Sequence, residues 1–135
     1  MKITEMKKFD IEQLKALYNS VGWVSYTKDI WKFTTMFNHS LSVIAAYEEE
    51  KLIGIVRTIG DYVHILYIQD IIVHPNYQRK GVATALMDDI LARFDVRQMV
   101  LITDLNDEAS NGFYQSYGFK KSEDMKIQCY VKFNH

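Results

Sequence analysis

The chain has 135 residues, 48% apolar and 24% charged, which is typical of one globular domain and argues against disorder. A formal net charge of −1 argues against bulk electrostatic binding to nucleic acid. Cys129 is the only cysteine, so no internal disulfide can form, and no apolar run is long enough to span a bilayer. The N-terminus has no apolar leader, so we expect a cytoplasmic protein with one domain over residues 1–135 and neither nucleic acid nor membrane as partner.

The first third of the chain is predicted to form a short strand and two helices. Residues 2–4 are the candidate strand. Asp10 precedes apolar residues at helical spacing and Gln13 follows it by three, which is a capping-box arrangement. Thr27 is the predicted cap of a second helix that begins near residue 28. The apolar side of that helix is predicted to comprise Ile30, Trp31, Phe33 and Phe37.

Three strands are predicted to follow these helices. Residues 42–47 and 52–59 are apolar runs separated by a polar turn, which indicates a β-hairpin. Residues 62–73 are almost continuously apolar, as expected for a central strand buried on both faces. Gln69 and Asp70 interrupt this run, and Pro75 ends it.

The last third alternates helices with strands. A helix with one apolar face is predicted after Gly81, then a strand at residues 99–103. A short helix over residues 108–117 is predicted to end with Gly118 at its C′ position, and residues 126–133 alternate as a last strand would. The strand–helix–strand order around Gly81 implies a parallel pair, and the whole order predicts an α/β or α+β domain with a mixed sheet.

The segment HPNYQRKGVATALM, residues 74–87, has the features of an anion site at a helix N-terminus. The first turn of a helix leaves N–H groups without partners, and the helix dipole adds positive potential there. Gly81 permits close approach of a ligand, and Arg79 and Lys80 add charge. The side chains of Ala83 and Thr84 are small, and no acid occupies the first turn. The pattern favours phosphate binding; the alternative is an ordinary loop with solvated basic residues.

Three motifs resemble those of the GNAT N-acetyltransferases. QRKGVA at residues 78–83 is similar to the Q/R-x-x-G-x-G/A signature, with alanine at the last glycine position. DIIVHP at residues 70–75 resembles the fourth strand of that family, and FYQSYGF at residues 113–119 resembles its FYxxxGF segment. The element order matches along nearly the whole chain. A looser resemblance links parts of the chain to a small-amine subgroup that includes plant serotonin N-acetyltransferase-like proteins.

The resemblance implies a mixed, mostly antiparallel central sheet of about six to seven strands with about four helices. It also implies acetyl-CoA as cofactor, with its pantetheine arm paired to the fourth strand and its pyrophosphate in the basic loop. The implied cofactor contacts are Ile71, Ile72, Val73, Gln78, Arg79, Lys80, Gly81, Val82, Ala83, Thr84 and Tyr114, with Asn106 and Asn111 as competing further candidates.

The implied reaction is direct attack of an amine on acetyl-CoA in a ternary complex. Tyr114 stands where the family's tyrosine stands and is the candidate general acid that protonates the leaving thiolate; the alternative is a packing role, and Tyr117 is the nearer rival. Asp70 is the candidate general base because a carboxylate in an apolar strand is costly unless it is paired or its pKa is raised. The alternatives are that Asp70 only accepts hydrogen bonds from nearby loops, or that a water chain removes the proton.

Trp23, Tyr26 and Trp31 are candidate contacts for the acceptor, by analogy with the family; the alternative is that the two tryptophans belong to the core. The leading hypothesis is acetylation of a small primary amine. Acetylation of a protein lysine or N-terminus and a catalytically silent acyl-CoA-binding module are the competing hypotheses. No His, Cys or Asp cluster has metal-ligand spacing, and a homodimer is left open.

Overall fold

The computed structural model describes all 135 residues, which divide into two compact units, residues 1–101 and 102–135. The first unit holds a five-stranded sheet in the order β1-β2-β3-β4-β5, antiparallel except for the parallel pair β4 and β5. The mixed, mostly antiparallel class is therefore confirmed, although the sheet has fewer strands than expected. The strands are β1 (Lys2–Glu5), β2 (Ser42–Glu48), β3 (Lys51–Gly60), β4 (Ile65–Val73) and β5 (Gln98–Leu101).

Five helices accompany the sheet: α1 (Ile11–Ser20), α2 (Val24–Thr27), α3 (Ile30–Asn38) and α4 (Val82–Arg93) in the first unit, and α5 (Glu108–Ser116) in the second. The predicted cap of α1 is confirmed, since the Asp10 side chain accepts a hydrogen bond from the Gln13 N–H. The predicted cap of α3 is wrong. Asp29 caps this helix by accepting from the Lys32 N–H, whereas Thr27 ends α2 and donates to Asn19 Oδ1 at 2.6 Å.

The core lies on both faces of the sheet. On one face α1 and α3 bury their apolar sides against β2, β3 and β4, and each fully buried large side chain contributes about 1.5–3 kcal/mol. On the other face α4 approaches β3 so closely that a Cβ added at Gly54 would lie 2.9 Å from Val82 Cγ1. The buried residues of the first face include Leu14, Leu17, Tyr18, Phe33, Phe37, Val43, Ala45, Ile55 and Ile72.

The central strand starts later than the sequence predicts. Residues 62–64 form a turn because the Asp61 carboxylate accepts hydrogen bonds from the N–H groups of Val63, His64 and Ile65 at 2.8–3.0 Å. These donors lower the pKa of Asp61 to about 2. Tyr62 and Val63 are each 60% exposed, so their apolar character does not mark a buried strand.

In the second unit, α5 is followed by a 3₁₀ turn at Ser122–Met125, and residues 126–133 form no strand. The prediction of a last strand there is wrong. An alternating pattern becomes a strand only when another strand supplies hydrogen bonds, and these residues, Cys129 included, are exposed and unpaired with any strand. No helix in either unit has the length and apolar character needed to cross a membrane.

Candidate active site

One edge of β4 is only half covered. The strand pairs with β3 along nearly all its length, but with β5 only over residues 65–68. Within the first unit, residues 69–73 therefore have no strand partner on the β5 side. At about 3.3 Å per residue, this free edge is about 13 Å long.

The backbone groups of Ile71 and Val73 point to this free edge. The His74 N–H donates to Ile53 O at 2.8 Å, on the β3 side. Because the direction of backbone groups alternates along a strand, Ile72 also turns its N–H to β3, while Ile71 and Val73 turn theirs away. In agreement, Gln78 Nε2 donates to Val73 O at 3.1 Å. The geometry thus favours Ile71 and Val73 over Ile72 as backbone partners for a ligand.

The free edge leads through a tight loop into the N-terminus of α4. Gly81 caps this helix with φ +82°, no side chain caps it, and no acid lies in its first turn. The N–H groups of Val82 and Ala83 therefore have no carbonyl partner within the helix. An added Cβ at Gly81 would meet no atom within 4 Å, so the space beside it is open.

Basic side chains surround this loop. Arg79 and Lys80 are exposed, and Arg79 adopts φ +63°, a left-handed conformation that is unusual for a residue with a side chain. The ammonium groups of Lys51 and Lys80 lie 5.3 and 5.5 Å from the ring centre of Tyr77. Burial and the charge of Lys51 lower the pKa of His74, whose Nδ1 accepts from the Asn76 N–H at 3.1 Å.

Asp70 lies at the centre of a buried polar cluster. It is 1% exposed and accepts hydrogen bonds from Arg57 Nε at 2.7 Å, Tyr18 Oη at 2.7 Å and Tyr26 Oη at 2.9 Å. Burial, and then the negative charge of Asp70, raise the pKa of both phenols, so both stay protonated and donate to the carboxylate. Burial lowers the pKa of Arg57, but Asp70 outweighs that effect and the net shift is upward.

A β-bulge at Gln69 brings two consecutive side chains to the same neighbour. Arg57 pairs with Asp70 and Thr58 with Ile68, so Gln69 has no partner on β3. In a regular strand Gln69 and Asp70 would point to opposite faces. Here both reach Tyr26, because Gln69 Nε2 donates to Tyr26 Oη at 3.1 Å while Tyr26 donates to Asp70.

Two of the three aromatic residues predicted to contact the acceptor lie together. The rings of Trp23 and Tyr26 are 6.1 Å apart, and both pack against Tyr18. Trp31 makes no aromatic contact and is 70% exposed, while Trp23 is 38% exposed. The alternative that these tryptophans belong to the core is therefore wrong, as is the assignment of Ile30 and Trp31 to the buried side of α3.

In the second unit, Tyr114 is held within α5 by aromatic neighbours. Its ring centre lies 5.5 Å from that of Phe113 and 6.2 Å from that of Phe119. Burial, assisted by Asp107, raises the pKa of Tyr114 to about 12. Gly118 ends the helix with φ +89° and donates to Gln115 O, while Phe119 donates to Tyr114 O. This Schellman arrangement confirms the predicted C′ glycine.

The two asparagines proposed as cofactor contacts differ in their surroundings. Asn111 Nδ2 donates to Asp104 O at 2.9 Å and to Asp107 O at 2.7 Å, so its amide protons hold the loop before α5. Asn106 is exposed, and its backbone N–H donates to Asp104 Oδ1. Of the two, Asn106 is the one whose side chain is left open to a ligand.

Comparison with known proteins shows the family. The model described as "Acetyltransferase (GNAT) family" matches residues 9–119. The chain belongs to the GNAT acetyltransferase family. A GNAT-family acetyltransferase from Streptococcus pneumoniae TIGR4 superposes with a TM-score of 0.87 at 29% identity, covering 98% of this chain and 97% of the other. The aminoglycoside N-acetyltransferase AAC(6')-Iy, solved in complex with CoA, shares the fold with a TM-score of 0.74 at 19% identity, covering 99% and 93% of the two chains.

Curated relatives are longer than this GNAT chain. An uncharacterized N-acetyltransferase of Porphyra purpurea is 25% identical over 90% of this chain and 71% of its own length. A protein of Glycine max named histone acetyltransferase TAP1 is 27% identical over 82% of this chain, which spans about half, 52%, of that relative. The expected fold and the enzyme class, an acetyl-CoA-dependent acetyltransferase, are confirmed at the level of the family.

Sequence reasoning missed several residues that the structure places in this candidate site. Arg57 is a charged residue within an apolar strand, which was a usable signal for a buried partner. Tyr18 looked like an ordinary helix-face residue and Lys51 like part of a solvated turn, so neither gave a signal. Gln69 was visible only as a polar interruption, because its bulge depends on pairing with β3.

Proposed function

We propose that this protein transfers the acetyl group of acetyl-CoA to the primary amine of a small molecule by direct attack in a ternary complex. The observation that carries the proposal is the continuous path from the free edge of β4 to the open N-terminus of α4. Such a path suits a ligand with an amide-bearing arm at one end and a pyrophosphate at the other. A cytoplasmic location, a single domain over residues 1–135 and a homodimer stay predictions.

The residues present fit acetyl-CoA. Ile71 and Val73 offer backbone groups to the pantetheine amides, and the N–H groups of Val82 and Ala83 face the place where a pyrophosphate would bind. Lys80 and Arg79 supply positive charge beside it. When bound, acetyl-CoA supplies an acetyl group activated as a thioester.

Acetyl transfer requires one new C–N bond, one broken C–S bond and the net release of one proton from an ammonium acceptor. The Ile71 N–H, directed to the free edge at the end nearer Gln69, is placed to donate to a carbonyl oxygen that gains negative charge. Tyr114 is the proposed acid for the thiolate, because its raised pKa keeps it protonated throughout the neutral range. Asp70 stays a candidate base, but its three hydrogen-bond donors and its burial favour the structural alternative.

The acceptor is expected beside Trp23 and Tyr26, where an exposed indole and a half-buried phenol form an aromatic wall. Such a wall binds alkyl or aryl chains by apolar contact and attracts an ammonium group through the ring faces. The histone acetyltransferase name of the Glycine max relative favours a protein lysine as the second candidate acceptor.

Acetyl-CoA incubated with a panel of aryl amines, polyamines and lysine peptides separates these acceptors through release of free thiol. Turnover of amines supports the proposal, whereas turnover of peptides alone supports protein acetylation. Tight CoA binding without turnover favours a silent module, and absence of CoA binding refutes all three.

A matched pair of variants tests the cofactor site itself. Thr84→Asp places a carboxylate in the first turn of α4, where it stabilises a helix by about 0.3–1 kcal/mol through the dipole but repels a bound phosphate. Thr84→Asn has the same shape without the charge. We expect Thr84→Asp, and not Thr84→Asn, to lose acetyl-CoA affinity. The melting temperature of Thr84→Asp should be equal to or higher than that of Thr84→Asn. Equal affinity in the two variants, measured by calorimetry, would contradict an anion site at this helix.

A further inference from the structure

The hydrogen bonds around Asp70 form a chain whose direction is fixed. A carboxylate paired with Arg57 has only acceptor oxygens, so both phenols must donate to it. The Tyr26 hydroxyl has one proton, and that proton points to Asp70 Oδ1 at 2.9 Å. The Tyr26 oxygen can therefore only accept from its other neighbour, Gln69.

This direction settles the orientation of the Gln69 amide. The nitrogen and oxygen of an amide side chain are assigned from their hydrogen-bond partners. Since Tyr26 offers an acceptor, Gln69 must turn Nε2 to it, at 3.1 Å, and Oε1 then faces away. Gln69 is exposed, and the one hydrogen bond of its side chain is the one that Nε2 donates to Tyr26. The buried ion pair of Arg57 and Asp70 thus fixes the orientation of Gln69 through Tyr26, and the acceptor atom Gln69 Oε1 faces the surface.

Gln69 also occupies a particular place on the sheet. It is the first residue of β4 beyond the ladder with β5, which ends at the pair Ile68 and Leu101. The bulge turns its side chain to the face that carries Tyr26 and Trp23. The open oxygen therefore lies between the aromatic wall and the end of the free strand edge.

We propose that Gln69 Oε1 binds the attacking amine by accepting one of its N–H groups, and that Asp70 and Tyr26 are positioning residues that keep this oxygen facing outward. An amine held through an N–H keeps its lone pair free to attack a carbonyl carbon. A primary amine has a second N–H to lose as the amide forms. The inference rests on the proposed function, because it needs a thioester along the free edge of β4.

Kinetics with tyramine and spermidine provide the first test. Loss of one hydrogen bond in Gln69→Ala is expected to lower kcat/KM for the amine about tenfold, with KM for acetyl-CoA changed less than about twofold. Gln69→Leu, which keeps much of the side-chain volume but has neither an amide oxygen nor a donor, should lose as much. Gln98→Ala, at an exposed glutamine of β5, is the control. An active wild type whose kcat/KM is unchanged in both Gln69 variants refutes the inference.

Nuclear magnetic resonance tests the same claim without turnover. The Gln69 Nε2 protons should show nuclear Overhauser contacts to the Tyr26 ring, and tyramine added to the CoA-saturated protein should shift the Gln69 side-chain signals but not those of Gln98. Absence of either effect refutes the role of Gln69. Failure of the wild type to acetylate any amine refutes the proposed function instead, and the tyramine titration still decides whether Gln69 binds an amine.

Discussion

Replacing Asp70 by asparagine tests the buried ion pair with Arg57 directly, because the shape of the side chain is kept while its charge is lost. Every neighbour of the carboxylate is a donor: Arg57 Nε, Tyr18 Oη and Tyr26 Oη. The amide NH₂ of asparagine must therefore face one of them as a second donor. The Arg57 guanidinium, 4% exposed, also loses its counter-charge.

The expected loss of stability is large. Removing one partner of a buried ion pair costs about 3–5 kcal/mol, because the other charge stays buried and unpaired. Since a domain is stable by about 5–15 kcal/mol, this loss should lower the melting temperature of the Asp70→Asn variant by on the order of 10 °C. Urea unfolding measures the free energy directly. Asp95→Asn, at an exposed position, is the matched control and should change it by less than about 0.5 kcal/mol.

The same variant separates the two roles of Asp70 in catalysis. If Asp70 is the base, kcat/KM in the folded variant loses its acidic limb. If Asp70 positions its neighbours, kcat/KM falls but the limb stays at the same pH. We expect the second result. A free energy of unfolding lowered by less than about 1 kcal/mol would refute the reasoning about the buried pair, and loss of the acidic limb would refute the positioning role.

Three further predictions concern other parts of the chain. Gly54→Ala places a methyl group 2.9 Å from Val82 Cγ1, so it should cost about 1–3 kcal/mol in urea unfolding and weaken acetyl-CoA binding by displacing the start of α4. Tyr114→Phe should lower kcat with little change in acetyl-CoA affinity; because its pKa is about 12, the wild type should show no alkaline limb from this group below about pH 11. Asp61 has a pKa of about 2, below the unfolded value of about 3.9, so its stabilising effect is complete above pH 4 and is lost as pH falls toward 2. The protection factors of the amides at residues 63–65, which compare their exchange with that of an unstructured chain at the same pH, should fall with this loss and should be near one at all pH values in Asp61→Ala.

Each of these has a clear opposite result. Unchanged acetyl-CoA affinity in a destabilised Gly54→Ala protein would separate the packing of α4 from the cofactor site. An unchanged kcat in Tyr114→Phe would remove its assignment as the acid. Protection of the amides at residues 63–65 in Asp61→Ala would mean that the turn does not depend on the carboxylate.

The features predicted correctly from the sequence are those set by residues close together in the chain. Asp10 caps α1, Gly118 ends α5, and Gly81 begins α4, each through contacts within about four residues. The parallel pair followed from the order of strand, helix and strand. These elements need only local geometry and hydrophobic periodicity, which a single sequence contains.

The features that were missed depend on distant residues. The ion pair of Arg57 and Asp70 joins β3 and β4, and a one-residue bulge at Gln69 shifts the register of these two strands. No residue pattern near Gln69 in the sequence predicts that bulge. Periodicity assigned Trp31 to the buried side of α3, but the helix buries Phe33 and Phe37 and leaves the Trp31 side chain exposed. Residues 126–133 alternate in hydrophobicity but pair with no strand of the sheet.

The short β5 connects the fold with the proposed chemistry. A strand edge with free N–H and C=O groups invites pairing with other chains, and proteins usually cover it. Here β5 is only four residues long and ends at Leu101, so that within the first unit the edge of β4 has no strand partner from Gln69 onward. A fifth strand of ordinary length would cover the backbone groups of Ile71 and Val73 that we assign to the pantetheine arm. We therefore interpret the unpaired edge as a site kept open for a ligand, and acetyl-CoA should protect the amides of Ile71 and Val73 from exchange more than that of Ile72, which β3 already holds.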